Sequence, residues 1–390
     1  MDSILQTTTT KSRRQGTVTQ RYKGSFQLRY TVVDTNGKRK QVNETVKGTK
    51  KEAEKILRER LSAVDNGSHI DKSKETVSQF MARWMETYAA TNVTLRTAHG
   101  YQGQIERYID PTIGSVTLQS LTPGQIQKVY ADMLGRGLSN TTVLQLHRVL
   151  REALGHAVKW GDLARNVADA TSPPRIEQKQ MPMWDIPTIQ KFLDQCGESR
   201  NGGVFDFGIH TGLRRSEICG LKWKSVDLVE GRLSVVGTLH SINGHGLVEG
   251  LPKTKRSRRN IGVAPETADL LRAVKETQTL QRIEYGPVWQ DTGYVFTRPS
   301  GLPLIPQEVT REFTRFIREN GFPHLTFHGL RHANATLQME AGINPKVVSE
   351  GLGHSGTTIT LDLYSHVLPN MQQHAAEAVA NLLKGKPLAT

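Results

Sequence analysis

The apolar residues of this chain change their period once near its start, and that switch restricts the fold more than any other feature. Between Gly16 and Val46 they alternate with polar ones. β-Branched and aromatic side chains recur in Thr17-Val18-Thr19 and from Ser25 to Val33, and a third run spans Arg39 to Thr45. A repeat of two suits strands with one buried face, because successive side chains point to opposite sides. Asp34-Thr35-Asn36-Gly37 separates the second and third runs, and Asn-Gly tolerates the positive φ angles of a tight hairpin. From Thr49 the repeat becomes helical, with Ala53, Ile56, Leu57 and Leu61 on one face, and it stops near Asn66-Gly67. The pattern predicts a three-stranded sheet and one helix.

Residues 74–170 read as helical throughout, with Val77, Phe80, Met81, Trp84 and Tyr88 at core spacing. Thr94-Leu95-Arg96 opens a second helix that ends before Pro111, and Thr122-Pro123 opens a third. Ser139-Asn140-Thr141-Thr142 caps a fourth that runs through Leu144, Leu150, Ala153, Leu154 and Val158. Ser and Thr are good N-caps, and Pro fits the first helical turn. The prolines from Ser172-Pro173-Pro174 to Pro182 then break helix and extend the chain as a linker. At 390 residues the chain has room for two or three domains of roughly 150 residues each. We therefore expect a multidomain, mainly α protein. Its parts are a sheet-plus-helix domain over residues 1–70, a helical bundle over 74–172, a linker over 173–182, and a mixed α+β, mostly α domain over 183–390.

No run approaches the ~18 consecutive apolar residues of a membrane span. Met1 to Arg14 is polar and Thr-rich, unlike a secretory leader. The two cysteines, Cys196 and Cys219, are too few for a disulfide framework and lie outside any CxxC, which fits a reducing cytoplasm. Charge narrows the partners: 51 Lys and Arg face 37 Asp and Glu, a net of +14. The first 72 residues hold 16 of the basic and only 8 of the acidic side chains, so the excess is concentrated there. Such an excess points to a polyanion, and Arg13, Arg14, Arg21, Lys23 and Arg29 place it on the expected sheet, a shape that can enter a DNA groove.

Four clusters of the last domain carry chemistry. Thr211-Gly212-Leu213-Arg214-Arg215-Ser216-Glu217 opens a helix, where a guanidinium fork and peptide N–H groups can converge on phosphate oxygens. A hairpin-like stretch from Arg232 to Val263 contains Pro252-Lys253-Thr254-Lys255-Arg256-Ser257-Arg258-Arg259, a phosphate-contacting or solvated basic run. His328-Gly329-Leu330-Arg331-His332 sets two histidines at a zinc spacing, but no Glu follows the first and no third ligand is evident, so no metal site is expected. Leu352-Gly353-His354-Ser355-Gly356 is followed by Tyr364.

In this order, TGLRRSE at 211–217, PKTKRSRR at 252–259, HGLRH at 328–332, LGH at 352–354 and the Tyr364 of DLYSH make the chain resemble the tyrosine recombinase (phage integrase) family over roughly residues 75–370. More loosely, the first sheet resembles the arm-type DNA-binding domain of three-domain integrases. The resemblance implies a catalytic set of Arg214, Lys253, His328, Arg331 and His354, with Tyr364 as nucleophile, and a core-binding role for residues 74–172. Lys255, two residues from Lys253 on the same strand face, is expected to contact DNA with Arg256 and Arg258. Gly329 stands where Asp is common, and Ala333-Asn334 replaces a Thr-aromatic pair. Tyr285 and Tyr294 precede the histidine clusters and lack their spacing. Glu217 is expected to orient its neighbours, and Trp223, Phe207 and Phe327 to be core.

The implied reaction explains these residue types. Phosphoryl transfer from DNA to a tyrosine oxygen builds charge on non-bridging oxygens, which two arginines and a histidine neutralise. A 3′-phosphotyrosine link conserves the phosphodiester energy, so the resemblance implies no metal, ATP or other cofactor, and the chain lacks a GxxxxGK[ST] loop. Lys253 is then the proton donor to the leaving 5′-oxygen, while His328 accepts the tyrosine proton or holds the phosphate. Expected partners are double-stranded DNA at core and arm sites, a homotetramer on synapsed DNA with a Holliday junction, an excisionase-type directionality factor and a host DNA-bending protein, with no membrane. The helical stripe Ala375, Val379, Leu382 and Leu383 after Pro369 can pack on its own domain or dock on a neighbouring subunit, and docking in trans is the working expectation. The implied role is integration and excision of a phage or conjugative element in a bacterial cytoplasm, at the nucleoid. Chromosome-dimer or plasmid resolution, and DNA-binding regulation without catalysis, are the alternatives.

Overall fold

Described in a computed structural model are residues 16–33, 39–65, 70, 72–176, 182–251, 258–354, 356–357, 361, 380 and 383–384. The alternating segment folds as β1 (Thr17–Tyr22), β2 (Ser25–Val33) and β3 (Arg39–Lys47), an antiparallel sheet in that order. Lys23 and Gly24 close the first hairpin between the paired residues Tyr22 and Ser25, and Gly24 supplies the positive φ of 74°. The Asn36-Gly37 turn lies outside the described residues. Phe26, Leu28, Tyr30 and Val32 of β2 are buried and cluster with Ala53 and Leu57 of helix α1 (Lys50–Asp65). Thr49 and Glu52 cap α1 reciprocally: the Thr49 N–H donates to Glu52 Oε2 at 2.7 Å, and the Glu52 N–H to Thr49 Oγ1 at 3.3 Å.

Four capped helical segments follow. Helix α2 (Val77–Trp84) continues through a π-helical turn, Met85–Ala89, into α3 (Ala90–Asn92). Helix α4 (Leu95–Gln104) likewise continues through a π turn, Ile105–Ile109. Helices α5 (Pro123–Gly135) and α6 (Asn140–Lys159) complete the set. The side chains of Thr76, Thr94, Thr122 and Ser139 each accept a backbone N–H from three residues on. Trp84 is fully buried and stacks on Tyr88 and Tyr101 at 5.7 and 5.3 Å, and both phenols donate to Glu152. On α6, Leu144 is only half-buried; the stripe facing the core is Val143, Leu146, Val149, Leu150, Ala153, Leu154 and Ala157. The proline-rich stretch begins by running back along the bundle, with the Ser172 N–H on Gln127 Oε1 at 3.0 Å and Asn140 Nδ2 on the Arg175 carbonyl at 2.8 Å.

The chain divides into two compact units, residues 1–178 and 179–390. In the second, helices α7 (Ile186–Cys196), α8 (Gly202–Thr211) and α9 (Arg215–Cys219) precede a series of short strands. Strands β4 (Val226–Asp227), β5 (Arg232–Val235) and β8 (Arg259–Gly262) form one antiparallel sheet; β6 (Thr238–Ile242) and β7 (Gly246–Gly250) form a separate hairpin. Helices α10 (Pro265–Tyr285), α11 (Pro306–Glu319), α12 (Phe327–Glu340) and α13 (Pro345–Leu352) follow. Phe192, Phe205, Phe207, Phe313 and Phe327 share the core of this unit, and Trp223 packs against its edge. Every residue of α12 from Phe327 to Thr336 is buried except His328. A helix buried on all sides is a core helix, so the one open residue of this stretch marks where the core meets solvent. Gly329 belongs to this packing, because a Cβ there would lie 2.5 Å from Leu325 Cδ1. Among the described residues, no helix is long and apolar enough to cross a membrane.

Candidate active site

Three separate segments of the second unit converge on the carbonyl end of α13. Helix α8 stops at Gly212, whose φ of 61° is left-handed. A Cβ at Gly212 would lie 2.5 Å from both Asn334 Oδ1 and Leu352 Cδ2, so only glycine fits. Two residues on, Arg214 caps α9: its N–H donates to Glu217 Oε2 at 2.9 Å and its Nη1 to Glu217 Oε1 at 2.8 Å. The expected use of peptide N–H groups for an anion is thus modified. Glu217 already occupies the Arg214 N–H, and the anion-binding capacity lies in the guanidinium.

Glu217 is 3% exposed and also accepts from Arg259 Nη1 and Nη2, at 3.2 and 3.1 Å. Burial pushes its carboxyl up, but the hydrogen bonds and charge of Arg259, with Arg214, outweigh that and hold it below the usual range. Arg331 is 2% exposed and donates from Nη1 to the Gly212 carbonyl at 2.9 Å and from Nη2 to the Leu352 carbonyl at 2.7 Å. Burial, then the charge of Arg214, lower its guanidinium to about 9, still cationic at neutral pH. Arg214 Nη2 reaches the Gly353 carbonyl at 2.9 Å and Arg259 Nε the Gly351 carbonyl at 2.5 Å. Three guanidinium groups therefore sit on three successive carbonyls at a helix C-terminus, where partial negative charge gathers. His354 follows directly, with its N–H on the Ser349 carbonyl at 3.0 Å.

The histidines share this cationic field. His354 is buried, and His328 is the exposed position of its helix segment. Withdrawal from water lowers His354 to about 4, with Arg331, then Arg214 and His332, adding to it. The His328 ring, packed against His332 although the residue as a whole is open, is lowered as well, by desolvation of the ring and then by His332, Arg331 and Arg214. Both are neutral at pH 7. The His328 and His332 rings lie 4.6 Å apart at 86°. Among the described residues no group of three or more His, Cys, Asp or Glu is placed to hold a metal ion.

A pH prediction follows. A histidine with a folded pKa below its ordinary 6.5 binds fewer protons folded than unfolded, so its contribution is intact above pH 6.5 and is lost as pH falls toward 4. The shift of buried His354 is worth on the order of 3 kcal/mol across that window. His210, raised by its hydrogen bond to Asp206, acts in the opposite sense, its stability being lost as pH rises above the window. The melting temperature should fall from pH 6.5 to 4, and His354→Gln should flatten the slope; an unchanged slope would remove His354 as its source.

The structure thus brings together Arg214, His328, Arg331 and His354 of the expected set. Lys253, Lys255, Arg256, Tyr364, Arg13, Arg14, Ala375, Val379 and Leu382 lie outside the described residues. Arg21, Lys23, Arg29 and Arg258 are exposed. Arg21 Nε donates to Gln27 Oε1 at 2.8 Å, Arg29 Nε to Asn43 Oδ1 at 3.1 Å, and Lys23 lies in the first hairpin turn. Tyr294 is 5% exposed and its phenol donates to Glu249 Oε1 at 2.5 Å; burial pushes it far up, so it is a poor nucleophile. Two residues to which the sequence assigned no role in the site belong to it. Asn334 donates from Nδ2 to the Ile209 and His210 carbonyls at 2.8 and 3.0 Å, fixing the end of α8. Arg259 was one basic residue in a run, although the alternation Arg259, Ile261, Val263 marks its inward face.

Comparison with known proteins shows the family of the chain. A family model described as "Phage integrase family" matches residues 179–371, and "Phage integrase, N-terminal SAM-like domain" matches residues 76–134. A XerC-like tyrosine recombinase of Caldanaerobacter subterraneus subsp. tengcongensis is 28% identical over 353 residues, covering 86% of this chain and 90% of the relative. The ICEBs1 integrase of Bacillus subtilis is 26% identical over 288 residues, covering 73% and 78%. The Tn1549 transposon integrase in complex with transposon right end DNA has the same fold, with a TM-score of 0.67 at 23% identity over 78% of this chain and 99% of that one. A lambda integrase tetramer bound to a Holliday junction gives a TM-score of 0.57 at 18% identity, over 89% and 94%. The chain belongs to the phage integrase family, the tyrosine recombinases.

Proposed function

We propose that this protein is an integrase that moves a phage or conjugative element into and out of a bacterial chromosome, cutting and rejoining DNA through a 3′-phosphotyrosine. The observation that carries this reading is the anchoring of Arg214 and Arg331, from different segments, on the adjacent carbonyls of Gly353 and Leu352 immediately before His354. Two cations anchored on neighbouring carbonyls suit two non-bridging oxygens of one phosphate. In the reaction, the Tyr364 oxygen attacks phosphorus while the bond to the 5′-oxygen breaks. Lys253 protonates the leaving oxygen, and neutral His328 takes the tyrosine proton or hydrogen-bonds the phosphate alongside His354. The reverse attack by a 5′-hydroxyl of the other duplex rejoins the strands, so no ATP or metal is drawn into the sequence.

In this reading residues 1–70 bind arm DNA, 74–172 bind the core site and 183–390 carry catalysis, with 173–182 as linker. Four copies act on synapsed DNA, with a directionality factor and a host bending protein as further partners. The lambda integrase tetramer on a Holliday junction supports the assembly. The XerC-like relative favours a second reading, resolution of chromosome or plasmid dimers, which needs only core sites.

Two experiments test this. Incubated without metal or ATP on a nicked duplex carrying the junction of the element that encodes it, the full chain should form a covalent adduct on a denaturing gel, and Tyr364→Phe should form none. An adduct that survives Tyr364→Phe would overturn the assignment of the nucleophile. Removing residues 1–66 should leave that cleavage intact, weaken arm-DNA binding at least tenfold and lower its salt dependence by several counter-ions. Recombination unaltered by the truncation would favour the resolvase reading.

A further inference from the structure

We propose that Arg259 is a positioning residue of this site, the buried counter-ion of Glu217 that leaves the charge of Arg214 available to a phosphate. The inference rests on the recombinase reading above. Glu217 carries one negative charge and faces two guanidinium groups, but the two are not equivalent. The Arg259 side chain is 6% exposed and that of Arg214 34% exposed. Arg259 meets both carboxylate oxygens with Nη1 and Nη2, at 3.2 and 3.1 Å, whereas the Arg214 side chain meets only Oε1, through Nη1 at 2.8 Å. A two-pronged pair of this kind is both stronger and more directional than a single contact. Arg259 lies behind the carboxylate, and Arg214 stands on the open side with N–H donors to spare. Without Arg259, Glu217 would draw Arg214 inward and spend its charge on an internal pair.

Arg259 also fixes the backbone that carries His354. Its Nε donates to the Gly351 carbonyl at 2.5 Å, one residue before the Leu352 carbonyl held by Arg331 and two before the Gly353 carbonyl held by Arg214. The fit is close: a Cβ on Gly353, whose φ is 66°, would lie 2.9 Å from Arg259 Nη1. One planar side chain thus ties β8, the start of α9 and the end of α13 to each other, and a lysine cannot make its three contacts at once.

The test compares full-length wild type, Arg259→Met, Arg259→Lys and Tyr364→Phe on the nicked junction duplex. It uses single-turnover adduct formation for rate and anisotropy of the labelled duplex for affinity. A second substrate carries sulfur in place of the scissile 5′-oxygen, a leaving group that needs no proton. Affinity should stay within about twofold while the Arg259→Met rate falls roughly 100-fold, as expected when catalytic groups move by an ångström. Arg259→Lys, which keeps the buried charge and so the fold, should lie between. The deficit should persist on the sulfur substrate, because the fault is in phosphate positioning. Recovery on sulfur would overturn the proposal by assigning Arg259 to the placement of the proton donor, and wild-type rates in both variants would overturn it outright. A wild type with no Tyr364-dependent adduct would overturn the recombinase reading itself, and this inference with it.

Discussion

Arg331→Ala should lower adduct formation by about 10³-fold or more while the protein still binds core DNA. One lost transition-state donor typically removes 10²–10³ in rate, and this residue does more than donate. Its two Nη groups hold the Gly212 and Leu352 carbonyls, at 2.9 and 2.7 Å, and both carbonyls are then left without that partner. Unsatisfied buried groups cost about 1–3 kcal/mol each, so destabilisation of at least about 2 kcal/mol is expected beside the kinetic loss. Arg331→Lys keeps a charge but reaches only one carbonyl, and its rate should remain at least tenfold below wild type. Single-turnover gels and thermal melts of the same preparations measure both effects. Activity of Arg331→Ala within about tenfold of wild type would remove it from the reacting phosphate.

Glu217→Ala should be the most damaging change to stability in the site. The side chains of Glu217 and Arg259 are 2% and 6% exposed, and removing one member of a buried pair leaves a charge with no counter-ion. Such losses run to about 3–5 kcal/mol, which for a unit of this size corresponds to on the order of 10 °C in melting temperature. Glu217→Gln preserves the shape and should lose less. Both should lower cleavage, since Arg214 loses the carboxylate that caps its N–H at 2.9 Å and holds Nη1 at 2.8 Å. A melting temperature unchanged in Glu217→Ala would mean that Arg214 and Arg259 find other partners.

Much of the fold was legible because its signals are local. Thr76, Thr94, Thr122 and Ser139 each cap a helix with their own side chain, and the period-two pattern of β2 places Phe26, Leu28, Tyr30 and Val32 on one face. The π turns at Met85–Ala89 and Ile105–Ile109 were not legible, since one extra residue per turn leaves caps and composition unchanged. Leu144 shows the same limit: helical spacing admits it to the stripe, but packing chose Val143 and Leu146 instead.

The chemical groups of the candidate site can be read along the chain: TGLR, HGLRH and LGH are short runs that set glycines, arginines and histidines within a few residues of each other. How those groups are held is a matter of packing. The guanidinium-to-carbonyl bonds of Arg214, Arg331 and Arg259 include spans of 139, 119 and 92 residues, and no local rule selects a carbonyl at that distance. Nor could composition tell Arg259 from the other basic residues of its run. Arg259 is buried because β8 pairs with β5 and turns that side chain toward Glu217, whereas its neighbour Arg258 is left to solvent. A buried guanidinium is tolerated only where its charge and N–H groups find partners, and for Arg259 the packed fold alone brings Glu217 and the Gly351 carbonyl together.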